Sequence, residues 1–352
     1  MKIAILNDTH FGCRNDSQLF LNNTFKFFSE VFFPYLKDNN IDTVLHLGDM
    51  MDRRKFVNFN TLSRVRKEFV ERMEDSGIKF HCVIGNHDTY YKNTNELNSL
   101  RELFTDRYKN IHIYEHPVEL EFDSFKIALV PWMAKENKDE RLEFLKNTTA
   151  TWVGGHFELD GYQVFRGIDF EGGMDDNFLS RFEEVMSGHF HIQSRRKNVH
   201  YIGTQYQLTF SDLGEKKGFW VLDTETRTKE FVENPHTMFH QLEYDDVNKD
   251  MKKFISSEDF SKYEDCFVRI LVHNKNNSFL LDKMMDSLYS NGVQSVTVIE
   301  DIKTSDLSEE EQVDLSKDTL TLIRTEVDNF DMERSSKIKE KIQTLYMEAL
   351  TI

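Results

Sequence analysis

The chain has 352 residues, which suits two domains or one large domain with appendages and is too long for a single small module. Its 44 basic and 61 acidic residues give a formal net charge of −17, and 39% of the residues are hydrophobic, so the composition indicates an acidic, folded protein and excludes a disordered one. Three widely spaced cysteines without a CxxC pair argue against a disulfide framework or a Cys-ligated zinc site. No apolar run approaches the length of a membrane helix, about 18 residues, and none forms a signal-peptide core. A cytoplasmic protein without membrane association is therefore expected.

The first half of the sequence alternates short apolar runs with segments of helical period, which predicts strands joined by helices in an α/β layered fold. Predicted strands at residues 2–6, 43–47 and 79–84 alternate with predicted helices at residues 19–36 and 62–73. A hairpin is predicted at residues 118–122 and 125–130, followed by strands at residues 151–153, 184–186, 199–202 and 218–222. Residues 1–235 are thus predicted to form one layered domain.

The composition shifts after about Pro235, which marks the predicted end of this domain. A strand, a helix and a strand at residues 266–273, 277–291 and 294–299 predict a small α/β cap domain over residues 236–303. Residues 304–352 are predicted to form an acidic linker and a C-terminal helical tail, whose last helix carries Ile338, Ile342, Leu345 and Ala349 on one stripe. Such a stripe either packs on its own protein or docks on a partner, and the sequence leaves both open.

Five short motifs each follow a predicted strand. Loops at strand ends converge at one edge of an α/β scaffold, so their carboxylate, amide and imidazole groups are expected to meet there. This donor mixture suits Mn²⁺, Fe²⁺ or Zn²⁺ better than Mg²⁺ alone, with Asp49 placed to bridge two ions. Each motif alone is more typical of a turn or a cap, and only their joint order favours a metal site. The motifs are Asp8-Thr9-His10, Gly48-Asp49-Met50-Met51-Asp52, Gly85-Asn86-His87-Asp88, Gly154-Gly155-His156 and Gly188-His189-Phe190-His191.

Local basic clusters are the candidates for contact with nucleic acid, because the acidic net charge argues against binding by bulk charge alone. Any one such run is more commonly a solvated surface. Basic surface beside the site is expected from Arg53, Arg54 and Lys55, from the cap domain, or from a partner protein.

Taken in this order, the five motifs resemble those of the calcineurin-like metallophosphoesterase superfamily. Residues 201–204 (Tyr-Ile-Gly-Thr) and 208–212 (Leu-Thr-Phe-Ser-Asp) are similar to the stretch that follows the last histidines in the SbcD branch of this superfamily, which contains double-strand-break-repair nucleases. The chain length, the cap and the tail are also similar to those of phage members of that branch. The resemblance implies an α/β (α+β) fold, a four-layer β-sandwich flanked by helices, with two metals at one edge.

The resemblance also implies roles for individual residues. Two Mn²⁺ ions are expected, with Mg²⁺ or another divalent ion as an alternative, and His87 would contact the scissile phosphate and protonate the leaving oxygen. Some nucleases of the branch carry His where this sequence has Asp52, so that histidine's role is not carried over, and Asp88 is expected to support the site without binding metal. The implied ligands are Asp8, His10, Asp49 and His191 for one metal and Asp49, Asn86, His156 and His189 for the other.

The function implied by the resemblance is that of a Mn²⁺-dependent double-strand DNA exonuclease and single-strand DNA endonuclease, the catalytic subunit that works with an SMC-like ATPase of the SbcC type. The resemblance further implies a homodimer formed through the nuclease domain, a cap domain that binds DNA and a tail that binds the partner. For a phage protein, the expected location is the host cytoplasm. A phosphomonoesterase or protein phosphatase is the alternative that the five motifs alone permit, and a non-catalytic scaffold is a third hypothesis. The segment from Gly203 to Asp212 favours the nuclease, and the complete ligand set argues against the scaffold.

Overall fold

The computed structural model describes residues 1–300, which divide into two compact units. The first unit comprises Met1–Leu208 and Glu215–His236, and the second comprises Thr209–Gly214 and the described residues from Thr237 onwards. The predicted linker and helical tail lie outside the described residues. The division into residues 1–235, 236–303 and 304–352 therefore stays a prediction. Among residues 1–300, no helix combines the length and the apolar character needed to cross a membrane.

The first unit contains fourteen strands and seven α-helical segments. The strands are β1 (Lys2–Leu6), β2 (Thr43–His46), β3 (Lys79–Val83), β4 (Ile111–Tyr114), β5 (Val118–Phe122), β6 (Phe125–Val130), β7 (Trp152–His156), β8 (Gln163–Phe165), β9 (Ile168–Asp169), β10 (Glu184–Gly188), β11 (Ser194–Arg196), β12 (Val199–Tyr201), β13 (Gly218–Asp223) and β14 (Thr228–Glu233). The helices are α1 (Cys13–Asp16), α2 (Gln18–Phe27), α3 (Phe33–Asp38), α4 (Phe59–Val65), α5 (Glu71–Asp75), α6 (Ser99–Phe104) and α7 (Lys138–Asn147).

Two mixed six-stranded sheets form the centre of the first unit. Their strand orders are β14-β13-β1-β2-β3-β4 and β11-β12-β10-β7-β6-β5. In the first sheet β1 to β4 are parallel and the antiparallel strands β13 and β14 lie at one edge. In the second sheet the central strands are parallel and an antiparallel strand lies at each edge. Ile5 and Leu45 from the first sheet pack in one apolar core with Leu129 and Met186 from the second. The predicted α/β class is therefore confirmed in its coarse form, as two mixed sheets flanked by helices.

Phenylalanine side chains attach the N-terminal helices to the outer face of the first sheet. The Phe28 and Phe69 rings lie 4.7 Å apart, Phe69 contacts Phe80 of β3, and Phe32 contacts Phe219 of β13. The predicted uninterrupted helices at residues 19–36 and 62–73 are wrong in one respect, because π-helical turns at Phe28–Phe32 and Arg66–Val70 interrupt them. Phe28 and Phe32, at the two ends of the first π turn, are both fully buried.

The second unit is a small α/β layer with three parallel strands in the order β15-β16-β17. Its elements are β15 (Phe239–Asp245), α8 (Met251–Ser257), β16 (Phe267–Asn274), α9 (Ser278–Ser290) and β17 (Ser295–Glu300). Val268, Ile270 and Val272 alternate along β16 and pack with Met284 and Leu288 of α9. The strand–helix–strand pattern predicted from residue 266 onwards is present, while β15 and α8 were not predicted.

A carboxylate on β5 joins the second sheet to the loop that precedes β7. Glu119 accepts hydrogen bonds from the Thr148 hydroxyl (2.5 Å), from the Thr149 amide (2.8 Å) and hydroxyl (2.7 Å), and from the Ala150 amide (3.2 Å). The hydrogen bonds from Thr148 and Thr149 lower the pKa of Glu119 to about 2. Because the folded pKa lies below the ordinary value of 4.5, the ionised carboxylate stabilises the fold above that pH and loses its effect as the pH falls toward 2.

We therefore expect Glu119→Gln to lower the melting temperature by about 2–4 °C at pH 7, with a smaller difference from the unmodified protein as the pH approaches 2. Thermal unfolding followed by circular dichroism at several pH values measures both effects. Glu121→Gln, on the same strand and with only a 3.9 Å ion pair to Lys126, is the matched control. Equal melting temperatures for the two variants at pH 7 would contradict the assigned role of Glu119.

Candidate metal centre

The five motif loops meet where the parallel strands β1, β2, β3, β7 and β10 end. The loop after β1 lies along the loop after β2, since the amides of Asp8, His10 and Phe11 donate to the carbonyls of Gly48, Asp49 and Met50. Four side chains expected to bind metal sit on left-handed backbone, with φ of 43° at Asp8, 41° at His10, 55° at Asp49 and 89° at His189. Such conformations are unfavourable for these residue types and cluster at functional sites.

The first cluster contains Asp8, His10 and His191, whose candidate ligand atoms all lie within 4.8 Å of one another. Asp8 is fully buried and His10 is 3% exposed. The Nε2 atoms of His10 and His191 face each other at 3.0 Å. The structure therefore brings together three of the four side chains predicted for one metal, with Asp49 beside them, since its Oδ2 lies 3.8 Å from His10 Nε2.

The second cluster contains Asp49, His156 and His189, also within 4.8 Å of one another. The side-chain oxygen Oδ1 of Asn86 lies 2.8 Å from both His156 Nε2 and His189 Nδ1, so Asn86 belongs to the same group. Asp49 Oδ2 is 3.3 Å from His156 Nε2. Asp49 thus approaches a histidine of each cluster, and its role as a bridging carboxylate stays a prediction.

The remaining ring nitrogens of three of these histidines face hydrogen-bond acceptors. His156 Nδ1 lies 2.8 Å from the Leu47 carbonyl, His189 Nε2 lies 3.1 Å from Glu158 Oε2, and His10 Nδ1 lies 3.2 Å from Asp52 Oδ1. A ring that donates its proton to such an acceptor directs the lone pair of its other nitrogen into the cluster. Metal-binding histidines are held in this way, so the residues fit divalent cations.

Buried charges strongly shift the protonation of the two clusters. Burial alone would lower the pKa of His10 and of His156, but the carboxylates around them outweigh it and raise both pKa values to about 9, chiefly Asp52 for His10 and Asp49 for His156. Burial likewise opposes ionisation of Asp49, yet His156 and His87 hold its pKa well below the usual range. The site therefore requires positive charge, as protons or as cations, to balance its buried carboxylates.

His87 and Asp88 have different surroundings on the loop after β3. His87 is partly exposed, its ring is edge-on to His10 at 4.8 Å, and its Nδ1 donates to the Asp52 carbonyl at 2.7 Å. Asp88 is fully buried, and its carboxylate accepts hydrogen bonds from the backbone amides of Asp49, Met51 and Gly85. His87 therefore borders the clusters with its Nε2 unconstrained by that bond, while Asp88 holds the loops after β2 and β3 together.

Two side chains beside the site were not predicted. Glu158 contacts His189 as described, and the Trp132 ring lies 5.3 Å from the His189 ring. Both residues follow strands, as the motif residues do, and that placement was the only signal available. His46 is fully buried with its Nε2 3.1 Å from the Thr9 hydroxyl, and burial lowers its pKa to about 3.

The basic cluster next to Asp52 has partners within the protein. Arg53 forms an ion pair with Asp16 at 3.4 Å, Arg54 donates to the Thr89 hydroxyl at 3.3 Å, and the Lys55 ammonium lies 5.4 Å from the centre of the Tyr90 ring. The cluster follows the Asp49 loop directly in sequence. Its contact with DNA stays a prediction.

Comparison with known proteins agrees with the geometry. A model of the calcineurin-like phosphoesterase family matches residues 1–193, which contain all five motifs. The chain is 34% identical over 356 residues to exonuclease subunit 1 of Enterobacteria phage T4, with 99% of each protein covered. It is also similar to a solved archaeal phosphodiesterase (17% identity, 66% of this chain and 100% of that chain, TM-score 0.33) and to a purple acid phosphatase from yellow lupin seeds (13%, 68% and 46%, TM-score 0.34).

We expect Asp49→Ala to lose both metals and His191→Ala to lose one, because Asp49 is predicted as a ligand of both metals and His191 as a ligand of one. The bound Mn²⁺ of each variant, measured by elemental analysis after dialysis, checks this. His116→Ala, which removes an exposed histidine paired with Glu140, is the control and keeps the stoichiometry of the unmodified protein. Two tightly bound Mn²⁺ ions in Asp49→Ala would refute the bridging assignment.

Proposed function

The chain belongs to the calcineurin-like phosphoesterase family, and on this basis we propose that it is a Mn²⁺-dependent DNA nuclease. The proposed activities are exonuclease action on double-stranded DNA and endonuclease action on single-stranded DNA. The four-layer sandwich implied by the family resemblance is the proposed fold. The pair of buried clusters carries the proposal of metal-dependent hydrolysis. The DNA substrate rests on similarity along 99% of the chain to a protein named as an exonuclease subunit.

Two bound Mn²⁺ ions would supply an acidified water for in-line attack and would neutralise negative charge on the phosphodiester. The residues proposed to hold them are Asp8, His10, Asp49 and His191 for one ion, and Asp49, Asn86, His156 and His189 for the other. Glu158 accepts from His189 Nε2 and so orients that ring, while Asp52 Oδ1 lies 3.2 Å from His10 Nδ1 as its ion-pair partner. No nucleophilic side chain is required.

His87 is the proposed proton donor to the leaving oxygen. The Asp52 carbonyl fixes the ring through Nδ1, which leaves Nε2 as the nitrogen that can reach a phosphate oxygen. Burial lowers the pKa of His87, which makes the protonated ring a stronger acid but less populated, and the nearby Asp49 and Asp52 favour its protonated form. The side chain is therefore suited to transfer a proton at the edge of the metal centre.

The proposal includes partners beyond the metal centre. Arg53, Arg54 and Lys55, together with the cap domain, are proposed to contact the DNA backbone, and the C-terminal tail is proposed to dock an SMC-like ATPase. The word "subunit" in the name of the phage relative supports an assembly of this kind. A homodimer through the nuclease domain is also proposed.

One assay separates a nuclease from the alternative, a phosphomonoesterase or protein phosphatase. The purified chain is incubated with Mn²⁺ and linear duplex DNA, single-stranded circular DNA, or a phosphoserine peptide. A nuclease degrades the duplex from its ends and cuts the circle while leaving the peptide intact. Release of phosphate from the peptide without cleavage of either DNA would establish the phosphatase instead.

We expect His87→Ala to keep both Mn²⁺ ions and DNA binding while cleavage slows by a factor on the order of 10² to 10⁴, the usual contribution of a general acid. Single-turnover cleavage, metal content and DNA affinity are measured on the same preparation. His116→Ala again serves as the control. Unchanged cleavage by His87→Ala would show that the proton comes from another group.

Deletion of residues 305–352 is expected to leave a folded protein that binds Mn²⁺ and still cuts single-stranded DNA but no longer co-purifies with the ATPase. The sequence pattern behind this expectation is the stripe that includes Ile338, Ile342 and Leu345 after an acidic linker. Melting temperature, metal content and co-purification are measured. Aggregation, or a melting temperature several degrees lower with loss of metal, would place the tail in the core and the partner site elsewhere.

A further inference from the structure

A cavity of about 570 Å³ opens beside the second metal cluster. Trp132, Met133, Leu142, Met174 and Phe178 give it an apolar lining, and Lys138, Glu158 and Asp175 add charged groups. Its volume lies within the range of small-molecule sites, roughly 300–1,000 Å³, and a mostly apolar lining with a few polar groups is typical of such sites.

Hydrogen bonds fix the walls of this cavity. The Met174 amide donates to the Glu158 carbonyl (2.9 Å), the Asp160 amide donates to the Met174 carbonyl (3.0 Å), and the Gly172 amide donates to Asp160 Oδ1 (2.9 Å). Phe178 lies on the 3₁₀ turn Asp176–Leu179, where buried Asp176 accepts from the Tyr162 hydroxyl and from the Lys197 ammonium. The cavity is therefore preformed.

Two residues connect the cavity to the reaction centre. Trp132 lies against the His189 ring at 5.3 Å, and Glu158 accepts from His189 Nε2 at 3.1 Å. Both residues also line the cavity. A phosphodiester held at the second cluster would therefore have one of its substituents next to the cavity mouth.

We propose that this cavity binds a single unstacked nucleobase next to the scissile phosphodiester, an inference that rests on the proposed nuclease function. A base has flat apolar faces and a polar edge, which match the Trp132 and Phe178 rings and the carboxylates of Glu158 and Asp175. Lys138 adds a positive charge suited to the phosphate backbone.

This site gives the two proposed activities a common requirement. A base that enters the cavity cannot remain stacked and paired in a duplex, so the nucleotide at the scissile bond has to be unpaired. Frayed duplex ends and single strands both present such a nucleotide, whereas the interior of a duplex does so only at the energetic expense of unstacking and unpairing. The cavity therefore directs cleavage to ends and to single strands.

The test combines Phe178→Ala with abasic substrates in the full-length protein with Mn²⁺. Single-stranded oligonucleotides carry an abasic residue on one side or the other of a defined cleavage position, and kcat/KM is compared with the intact oligonucleotide. We expect Phe178→Ala to lower kcat/KM by about 5- to 150-fold on the intact substrate, the loss typical of one base–aromatic contact. On the oligonucleotide that lacks the bound base, the variant and the unmodified protein are expected to have equal kcat/KM values. Losses that do not add in this way identify two groups in contact.

Binding provides a readout that is independent of turnover. Deoxyadenosine monophosphate is expected to quench the tryptophan fluorescence of the unmodified protein at lower concentration than deoxyribose 5-phosphate does, and Phe178→Ala is expected to remove that difference. Phe178→Tyr keeps the aromatic face and is expected to behave like the unmodified protein. Phe231→Ala, which removes a half-buried aromatic ring on β14 that lies 5.1 Å from the Trp220 ring, is the matched control.

Additive losses from the variant and the abasic residue, or an unmodified protein that cuts abasic and intact substrates equally well, would overturn the base site while leaving the nuclease function standing. Failure of the nuclease function has a different signature. The unmodified, Mn²⁺-loaded protein would then cut no oligonucleotide at all, and both proposals would be overturned together.

Discussion

The burial of two carboxylates, Asp8 and Asp49, is the constraint on which the rest of the site depends. They are 0% and 1% exposed at the ends of the neighbouring strands β1 and β2. A buried carboxylate without a partner is strongly destabilising, so positive charge or hydrogen-bond donors have to surround it. His156 meets part of this need from the end of β7 in the second sheet, with its Nε2 3.3 Å from Asp49 Oδ2, and the backbone amide of His189, after β10, donates to the Asp8 carboxylate. The same electrostatic requirement that assembles the metal centre therefore joins the edges of the two sheets.

The close approach of the loops requires particular residues as well as charge. A Cβ atom at Gly85 would lie 2.1 Å from the Asp49 nitrogen, so only glycine allows the loop after β3 to lie against the Asp49 loop. Gly48 has a φ of 94°, and a Cβ there would lie 2.6 Å from His156 Nδ1. Asp88 completes the arrangement by accepting from four backbone amides of these loops. The glycines of the motifs are thus needed for packing around the ligands, and the acidic and imidazole residues for the chemistry.

The sequence predicted the ligand groups better than their surroundings, for a physical reason. Asp8, Asp49, Asn86 and His156 follow strands whose apolar runs are easily recognised, so the joint order of the motifs predicted that they would meet, and the family resemblance implied which metal each would bind. In the structure they come from the ends of strands in two sheets. Glu158 and Trp132 carry no motif of their own, and their contacts with His189 depend on three-dimensional packing. The π turn at Phe28–Phe32 was likewise not predicted, because a run so rich in phenylalanine fits several helical phases equally well. Helix α7 has only Arg141 and Leu145 buried, which leaves almost no hydrophobic period to detect.

The second sheet contributes residues to both halves of the proposed substrate site. Trp132 follows β6, and His156 is the last residue of β7. These two strands are parallel neighbours, so their fixed register sets the distance between the cavity wall and the metal cluster. Glu158, two residues beyond His156, then contacts His189 with its carboxylate and lines the cavity. A base in the cavity and a phosphate at the cluster would therefore be positioned by one continuous set of rigid contacts. Selection for an unpaired nucleotide and alignment of its phosphodiester would then be the same event, since the phosphate reaches the cluster in register only when the base has left its stack.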